Sequence, residues 1–322
     1  MNDVETAKLY DAMAREYDDI KDLWYSWLFS RLHLLILEFL RKEFRQPGRR
    51  CLDVGAGTGF QSIVLALCGH QVTGIDISSE LLKVAASKRV NDYTRQDLFE
   101  SPYAFVQSYS CRIRALAAIL CGEGPLGNVR YDVASATDLP FEDNSFDLVN
   151  CCGSTLSSIE EYKKALDEMV RVLRPGGLIV LEVENRYSFD LFWQLLDSAL
   201  AGKLGYDQEL KVSLSNLFSH PANHVSTDFP FSTHDEEVTM PIILFSRRTL
   251  FRELRSRGIV IEEYHSVHNL TNIIPSVALD RVDPPAWLRG LFRVLSKLEA
   301  MTCSLPVFRG FGCSLVIFGR KT

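Results

Sequence analysis

A glycine-rich turn between a short apolar strand and a helix constrains this chain more than any other feature. Residues 51–54 are apolar except for Asp53 and have the pattern of a buried strand. Glycines follow at alternate positions (Gly55, Gly57 and Gly59), and an apolar helical pattern comes after them. Such a turn brings bare backbone N–H groups against a ligand, which a Cβ would hold away. The sequence therefore predicts an α/β protein with a ligand site at this turn.

A second predicted strand, residues 72–77, carries an acid at its end. Asp76 lies 17 residues after Gly59, which suits a carboxylate at the tip of the neighbouring strand. There it can accept hydrogen bonds from both hydroxyls of a ribose. A dinucleotide fingerprint has its third glycine one position later, where this chain has Phe60, and no Lys-Ser/Thr pair of a phosphate-binding loop follows. The pattern favours a nucleoside ligand over a dinucleotide or a nucleoside triphosphate.

Later motifs follow in a recognisable order. An L-P-F run occurs at 139–141, and residues 145–153 after it are predicted to form a strand. R-P-G-G at 174–177 then precedes another apolar strand. With the glycine turn and Asp76, these motifs resemble the class I S-adenosylmethionine (SAM) methyltransferases. The closest resemblance is to the type-11 group, which includes ubiquinone/menaquinone-biosynthesis and small-molecule N-methyltransferases. It covers roughly residues 10–184 and the final strand.

The resemblance implies a fold and a cofactor. The expected fold is α/β, a Rossmann-like doubly wound sheet of seven strands, mostly parallel with an antiparallel edge strand, plus helical insertions. The expected cofactor is SAM, with S-adenosylhomocysteine as its product. The implied cofactor-binding residues are Tyr17, Asp53, Gly55, Ala56, Gly57, Gly59, Asp76, Ile77, Ser135, Ala136 and Cys152.

The resemblance implies a different role for each of these residues, and one of them departs from the family pattern. Tyr17 would belong to an N-terminal helix that closes over SAM, and Cys152 would lie beside the methionine part. The acid that normally takes the adenine amino group falls at Ser135, while Ala136 would offer its backbone N–H to the ring. A serine oxygen accepts that bond without charge assistance, and Asp138 could compensate.

No catalytic residue can be assigned from the sequence. The histidine of the small-molecule N-methyltransferases falls at Ser158, and Asn185, Arg186 and Tyr187 rank first as polar substrate contacts. An H-x-x-x-H run in irregular sequence is a poor metal signal, so we expect no metal. The candidate bases are His220, His224, His234, His265 and His268.

The domain organisation expected from these patterns has three parts. Residues 1–45 form an N-terminal helical cap, and residues 46–185 form the SAM-binding core with a helical insertion at 91–127. Residues 186–322 supply the last strands of the core and the substrate cover, at 186–245 and 270–310. The final strand, about residues 311–319, is expected at the sheet edge.

Composition limits the partners. The net charge of the 322 residues is −6, which argues against a nucleic-acid partner, and no uncharged run approaches the length of a transmembrane helix. The N-terminus lacks the basic region of a signal peptide, and none of the eight cysteines is spaced as C-x-x-C, so we expect a cytoplasmic protein. A small-molecule methyl acceptor is the expected partner, and a homodimer is compatible with the sequence.

The favoured function is transfer of a methyl group from SAM to an N or O of a small, partly apolar molecule by in-line displacement. Three alternatives stay open. One is a noncatalytic SAM-binding partner subunit. The others are an NAD-dependent oxidoreductase and an RNA methyltransferase.

Overall fold

A seven-stranded sheet forms the centre of the molecule. The computed structural model describes residues 3–19, 22–44, 46–99, 101–200, 202–204, 206, 214, 217–218, 225–232, 237–279, 283–302, 305–306 and 308–322. The strands are β1 (Arg50–Val54), β2 (Gln71–Asp76), β3 (Asn128–Val133), β4 (Phe146–Cys151), β5 (Leu173–Glu184), β6 (Val225–Ser232), β7 (Glu237–Leu244), β8 (Ile259–Val267) and β9 (Ser314–Lys321). The helices are α1 (Asp3–Met13), α2 (Leu23–Glu43), α3 (Phe60–Leu67), α4 (Ser79–Ser87), α5 (Ala104–Cys121), α6 (Tyr162–Val172), α7 (Phe189–Ala199), α8 (Arg247–Arg255), α9 (Ser276–Leu279) and α10 (Ala286–Thr302).

The strand order confirms the expected fold class. The sheet runs β3-β2-β1-β4-β5-β9-β8, and β6 with β7 forms a separate antiparallel pair. The order reverses at β1, whose neighbours are β2 and β4, both parallel to it. In open α/β sheets, ligands bind beyond the carboxyl ends of the strands at such a reversal. The glycine turn after β1 is at this point.

The expected placement of the last strand at the sheet edge is wrong. The antiparallel strand is indeed β9, but it lies between β5 and β8 and pairs with both. Leu315 to Phe318 are all buried, as befits a strand covered on both faces. The edge strand at this end of the sheet is β8, where Val260 is 52% exposed.

Helices cover both faces of the sheet and enclose two hydrophobic cores. One core joins α2, α3 and α5 to one face, and the other joins α6 and α8 to the opposite face. The predicted N-terminal helical segment is divided into two helices with different roles. In α2, Trp27, Leu32 and Phe39 are fully or almost fully buried, so this helix belongs to the core. Only α1 and the residues just after it lie over the glycine turn.

The predicted insertions form elements of their own. Residues 104–121 make α5, which buries Val106, Ile113 and Ala117 against the core that contains α2 and α3. In the second half, within the predicted substrate cover at 186–245, β6 and β7 pair as antiparallel strands in a hairpin. Met240 and Ile242 of β7 pack against Leu9 of α1, so the hairpin supports the segment over the glycine turn.

Candidate functional site: an acidic cavity at the glycine turn

The three glycines of the turn have different structural tasks. All have positive φ angles, +70° at Gly55, +52° at Gly57 and +88° at Gly59. A Cβ at Gly59 would collide with the Tyr131 hydroxyl, and one at Gly55 would collide with the Thr155 side chain. At Gly57 the nearest atom would be a ring carbon of Tyr17, 3.8 Å away. Gly57 therefore keeps space open in the site, whereas Gly55 and Gly59 allow close packing around it.

Asp76 lies at the end of β2, beside this turn. One carboxylate oxygen accepts a hydrogen bond from the Gly57 N–H at 2.9 Å, and the other accepts one from the Ser78 N–H at 2.9 Å. The residue is 8% exposed, and burial raises the pKa of its carboxyl. Asp76 thus has its orientation fixed by backbone groups while it faces the cavity, which suits a group that receives ribose hydroxyls.

Asp53 was expected to bind the cofactor, but its side chain does not line the cavity. It is 1% exposed and accepts hydrogen bonds from Ser62 Oγ at 2.5 Å and Asn150 Nδ2 at 2.8 Å. Burial raises its pKa to about 6. Asp53 therefore ties α3 and β4 to β1 beneath the turn and positions the site indirectly.

A cavity of about 590 Å³ lies above the turn. This volume falls within the usual range for small-molecule sites. Of the sequence-predicted residues, nine line it and two, Asp53 and Gly59, do not. The nine are Tyr17, Gly55, Ala56, Gly57, Asp76, Ile77, Ser135, Ala136 and Cys152.

The charge of the lining is one-sided. Asp3, Asp76, Glu160 and Glu161 line the cavity, and none of its described lining residues is a lysine or an arginine. A site with four carboxylates and no base attracts a cation and repels a pyrophosphate. SAM carries a sulfonium and an ammonium against one carboxylate, whereas NAD carries two phosphate charges. The residues present therefore fit SAM and disfavour NAD.

At one end of the cavity Ser135 has a carboxylate beside it after all. Its Oγ donates a hydrogen bond to Asp3 on α1 at 2.6 Å and lies 2.9 Å from the Thr137 hydroxyl. Asp138, which had been expected to compensate, is exposed and does not line the cavity. The acid at this end comes from the N-terminal helix.

Side chains from residues 3–18 anchor that segment over the cavity. Asp11 accepts hydrogen bonds from Ser78 Oγ at 2.6 Å and from the Glu80 N–H at 3.1 Å, at the start of α4. Asp18 forms an ion pair with Lys88 Nζ at 2.6 Å, and the same ammonium donates to the Thr58 carbonyl of the glycine turn at 2.7 Å. We call residues 3–19 the cap.

Two tyrosines of the cap face the interior. The rings of Tyr10 and Tyr17 meet edge-on with centroids 6.4 Å apart, and Ser158 hydrogen-bonds to Tyr10. Burial raises the pKa of both phenols. They are therefore protonated at neutral pH and available as hydrogen-bond donors.

The loop after β4 forms the opposite end of the cavity. Cys152 and Gly153 line it, and Ser154 has a φ of +58°. Glu182 on β5 accepts a hydrogen bond from the Ser154 N–H at 2.5 Å, while Ser154 Oγ donates to Glu184 at 2.6 Å. Glu182 is buried and Glu184 is half-buried, and desolvation raises the pKa of both carboxyls. They hold the loop from below.

Comparison with known proteins is consistent with this geometry. Residues 52–181 match the family model "Methyltransferase domain" of the type-11 methyltransferases. In this stretch the chain is similar to the class I SAM-dependent methyltransferases of the type-11 group. Its cofactor is SAM, and the matched residues contain the glycine turn, Asp76 and the loop after β4.

Two curated relatives illustrate the type-11 group. A demethylmenaquinone methyltransferase from Renibacterium salmoninarum is 30% identical over 188 residues, which is 58% of this chain and 62% of the relative. The ubiquinone/menaquinone biosynthesis C-methyltransferase UbiE of Vibrio cholerae is 31% identical over 185 residues, 55% of this chain and 56% of the relative. The match thus spans about three fifths of each relative.

Solved structures share the fold of this chain. A SAM-dependent methyltransferase from Methanosarcina mazei has a TM-score of 0.51 at 17% identity and covers 88% of this chain and 96% of its own. The [4+2]-cyclase SpnF has a TM-score of 0.52 at 17% identity and covers 100% and 97%. Similar folds therefore carry different activities.

Several sequence-predicted polar residues lie away from the cavity. The Asn185 amide donates to the carbonyls of Gly310 and Gly312, so it fixes a chain crossing near β9. Arg186 is buried and stacks against Tyr187 at 5.1 Å. His268 stacks on Trp24 with centroids 3.6 Å apart and hydrogen-bonds to Thr271, which marks it as structural.

The other candidate histidines do not line the cavity or lie outside the described residues. His265 lies on β8 beside Glu263 and does not line the cavity. His220, His224 and His234 lie outside the described residues. Within the described part of the chain, no group of three or more His, Cys, Asp or Glu side chains could hold a metal ion. No helix in that part is both long and apolar enough to cross a bilayer.

Sequence reasoning missed several residues that line the cavity. Thr155 and Ser158 were within a recognised motif, and their position just after a strand tip could have indicated them. Phe29 lies on a core helix, and Asp3 and Thr6 lie on α1, with Asp3 132 residues from Ser135. No local signal in the sequence connects these residues to the site.

Proposed function

We propose that this chain is an active SAM-dependent methyltransferase whose acceptor is a small, largely apolar aromatic molecule of the hydroquinone class, methylated on a ring carbon. The acidic lining of the cavity at the glycine turn is the observation that carries the cofactor side of this proposal. The activities of the two curated relatives support the acceptor side. Transfer to N or O, which the sequence patterns had favoured, remains the alternative.

The wall residues have roles that follow from their chemistry. Asp76 would receive the ribose hydroxyls, and the open space above Gly57 would admit the nucleoside. Ser135, Asp3 and the backbone of Ala136 offer polar groups at one end for a heterocycle. Cys152 and Gly153 at the tip of β4 would lie beside the methionine part.

Rate enhancement has a different source from affinity in such a site. SAM supplies a methyl group on a sulfonium, and its transfer breaks an S–C bond, forms a C–C bond and releases a ring proton. The cavity carboxylates favour the cationic ground state, so they contribute to binding more than to rate. Holding the acceptor carbon in line with the methyl group, away from water, is the main task left to the protein.

Aromatic and apolar side chains also form part of the cavity lining. Tyr10, Tyr17, Phe29 and Ile159 belong to it. Flat apolar rings pack well against such a surface, and the neutral phenols of the tyrosines can donate hydrogen bonds to an acceptor oxygen. Hydrogen bonds to a ring oxygen favour its ionised form, and an ionised oxygen increases the electron density of the neighbouring carbon, which is what carbon methylation requires.

The first test is calorimetric titration of the purified chain with SAM, S-adenosylhomocysteine and NAD in parallel. We expect micromolar binding of the first two and none of NAD. A reduced naphthoquinone is then incubated with methyl-labelled SAM, and the product is located by mass spectrometry and NMR. Binding of NAD alone would overturn the cofactor assignment. Label on nitrogen or oxygen acceptors but never on carbon would overturn the acceptor class, and label on tRNA alone would point to an RNA substrate.

A further inference from the structure

Helix α10 presents a continuous apolar stripe to solvent. Trp287 is 70% exposed and Met301 is 78% exposed, and large hydrophobic side chains lie exposed between them at alternating intervals of four and three residues. This spacing places them on one face of the helix. The stripe consists of Trp287, Leu291, Val294, Leu298 and Met301.

The opposite face of α10 is firmly docked on the core. Leu288 and Phe292 are buried, and Phe292 meets the Trp27 ring edge-on with centroids 6.4 Å apart. Glu299, 1% exposed, accepts hydrogen bonds from Trp27 Nε1 at 3.0 Å and Thr271 Oγ1 at 2.9 Å. A buried carboxylate with this many partners fixes the rotation of the helix about its axis. The helix therefore cannot roll to bury the stripe without leaving that carboxylate unpaired.

Basic residues lie on one side of the stripe, with Lys297 at its border, Arg293 further round the helix and Arg289 nearly opposite the stripe. Arg289, Arg293 and Lys297 recur every fourth residue, and Arg289 forms an ion pair with Asp283 at 2.6 Å. The sole acid of α10 is Glu299, which is buried. The exposed surface of the helix is thus positive in a chain whose net charge is −6.

Further exposed apolar side chains occur on elements near α10. Both α7 and α10 contact the short turn Thr271–Ile273, where Ile273 is exposed. On α7, Phe192 is exposed as well. The stripe itself is a group of exposed apolar side chains of the kind that marks a site of interaction with another surface.

The combination of stripe and bases decides which partner fits. An apolar face with a tryptophan at one end and bases on one side of it matches the interface of an anionic bilayer, where the apolar side chains enter the acyl boundary and the bases meet headgroup phosphates. A second copy of this chain fits less well, because α10 offers no exposed acid to pair with the bases of the other helix.

We propose that α10 binds the surface of an anionic phospholipid bilayer and lies in the plane of the interface. The stripe residues Trp287, Leu291, Val294, Leu298 and Met301 insert, and Arg293 and Lys297 contact the headgroups. This binding does not depend on the proposed methyl transfer, so the two can fail separately.

Vesicle sedimentation with the full chain tests the proposal. The chain is mixed with one of two kinds of vesicle. One kind contains phosphatidylcholine alone, and in the other about a third of the lipid is phosphatidylglycerol. We expect binding to the anionic vesicles, and a blue shift of tryptophan emission that Trp287→Phe removes. Leu291→Ser with Leu298→Ser should weaken binding by about tenfold or more. Arg293→Gln with Lys297→Gln should weaken it by about fivefold for each charge and reduce its salt dependence.

The control is Ile119→Ser, which removes a side chain of 66% exposure from α5 and should leave vesicle binding unchanged. Absence of wild-type binding to anionic vesicles would overturn the proposal, as would equal losses in the control and the stripe variant. Sedimentation equilibrium adds a further arm. A wild-type dimer that the stripe variant dissociates would assign the stripe to contact between copies and would also overturn the membrane proposal.

Discussion

The wall and the cap of the cavity are built by different means. The wall consists of Gly55, Gly57 and the acid Asp76, which follow parallel strands whose register is set by backbone hydrogen bonds. The cap is held by side chains, through the contacts of Asp3, Asp11 and Asp18 with Ser135, Ser78 and Lys88. Since backbone geometry is common to all residues of a sheet, the wall is determined by the fold. The cap depends on these polar pairs and on the packing of Leu9 against β7.

This difference separates two functions of the site. We expect a wall fixed by backbone to supply most of the cofactor affinity, because its groups lose little freedom when the ligand binds. We expect a cap attached by side-chain contacts to contribute less to affinity and to control access of the acceptor. Substitutions in the two regions should therefore have effects of different size.

The largest effect is expected for Gly57→Val in the wall. The +52° φ angle strains a β-branched residue, and its methyl groups would occupy the space that faces Tyr17. We expect SAM affinity to fall by about 100-fold or more, some 3 kcal/mol, in calorimetry. Gly290→Ala on α10, where nothing lies within 4 Å of the added Cβ, is the matched control. A folded Gly57→Val protein that binds SAM normally would contradict the role given to this turn.

A second prediction tests the buried support beneath the wall. The pKa of Asp53 rises from its ordinary 3.8 to about 6, so the folded chain binds this proton more tightly than the unfolded chain does. The contribution of Asp53 to stability must then decrease as pH rises from about 4 to 6, and stay low above 6. Asp53→Asn preserves both hydrogen bonds, with the amide oxygen accepting from Asn150 and the amide nitrogen donating to Ser62.

The variant should therefore gain stability relative to wild type between pH 4 and 6, by up to about 3 kcal/mol at neutral pH. Urea unfolding of both proteins at pH 4, 5, 6 and 7 measures this difference. Burial lowers the pKa values of His33 and His268 to about 3, so these residues destabilise the fold as pH falls below 6.5. This trend is opposite to that of Asp53, and it cancels in the difference in unfolding free energy between variant and wild type. A difference that does not change with pH would show that Asp53 is not a costly buried charge.

Asp76→Ala tests the wall group that faces the ligand. Loss of a charged acceptor for two hydroxyls should weaken SAM binding by about 1–3 kcal/mol, measured by calorimetry with circular dichroism to verify folding. The control is Asp138→Ala, which removes an exposed carboxylate from the loop after β3, outside the cavity. If the control loses as much affinity as Asp76→Ala, the ribose position assigned here is wrong.

The smallest effect is expected in the cap. Asp3→Ala removes the carboxylate beside Ser135, and we expect about a fivefold loss of SAM affinity, near 1 kcal/mol for one hydrogen bond. Lys8→Ala on the same helix lies outside the cavity and should have no effect. If Asp3→Ala were as damaging as Gly57→Val, the distinction between a dominant wall and an auxiliary cap would not hold.

The sequence predicted the wall well because its signals are local. The alternating glycines, Asp76 and the strands around them all lie within about 27 residues, and every one of these strands and turns formed where expected. The sequence also predicted the fold class and the family, which depend on motifs in a fixed order. It assigned Asp53 to the ligand, because a strand pattern does not tell which face of the strand a polar side chain will meet.

The remaining errors concern contacts between distant parts of the chain. The last strand was expected at the edge of the sheet. Instead β9 lies between β5 and β8, because β8, which precedes β9 in the sequence, occupies the edge position. The acid at the Ser135 end was sought nearby, at Asp138, and it is Asp3, 132 residues away.

The sequence by itself determined the strand–turn–helix unit, the acid at the next strand tip and the amphipathic helices, since each depends on residue types at short fixed spacings. Only the tertiary structure decided that the cap supplies a carboxylate to the cavity and that Glu299 fixes the rotation of α10 through Trp27, 272 residues away. Periodic patterns specify which side of an element is apolar. Which elements then meet, and which polar groups become partners, depends on how the whole chain packs.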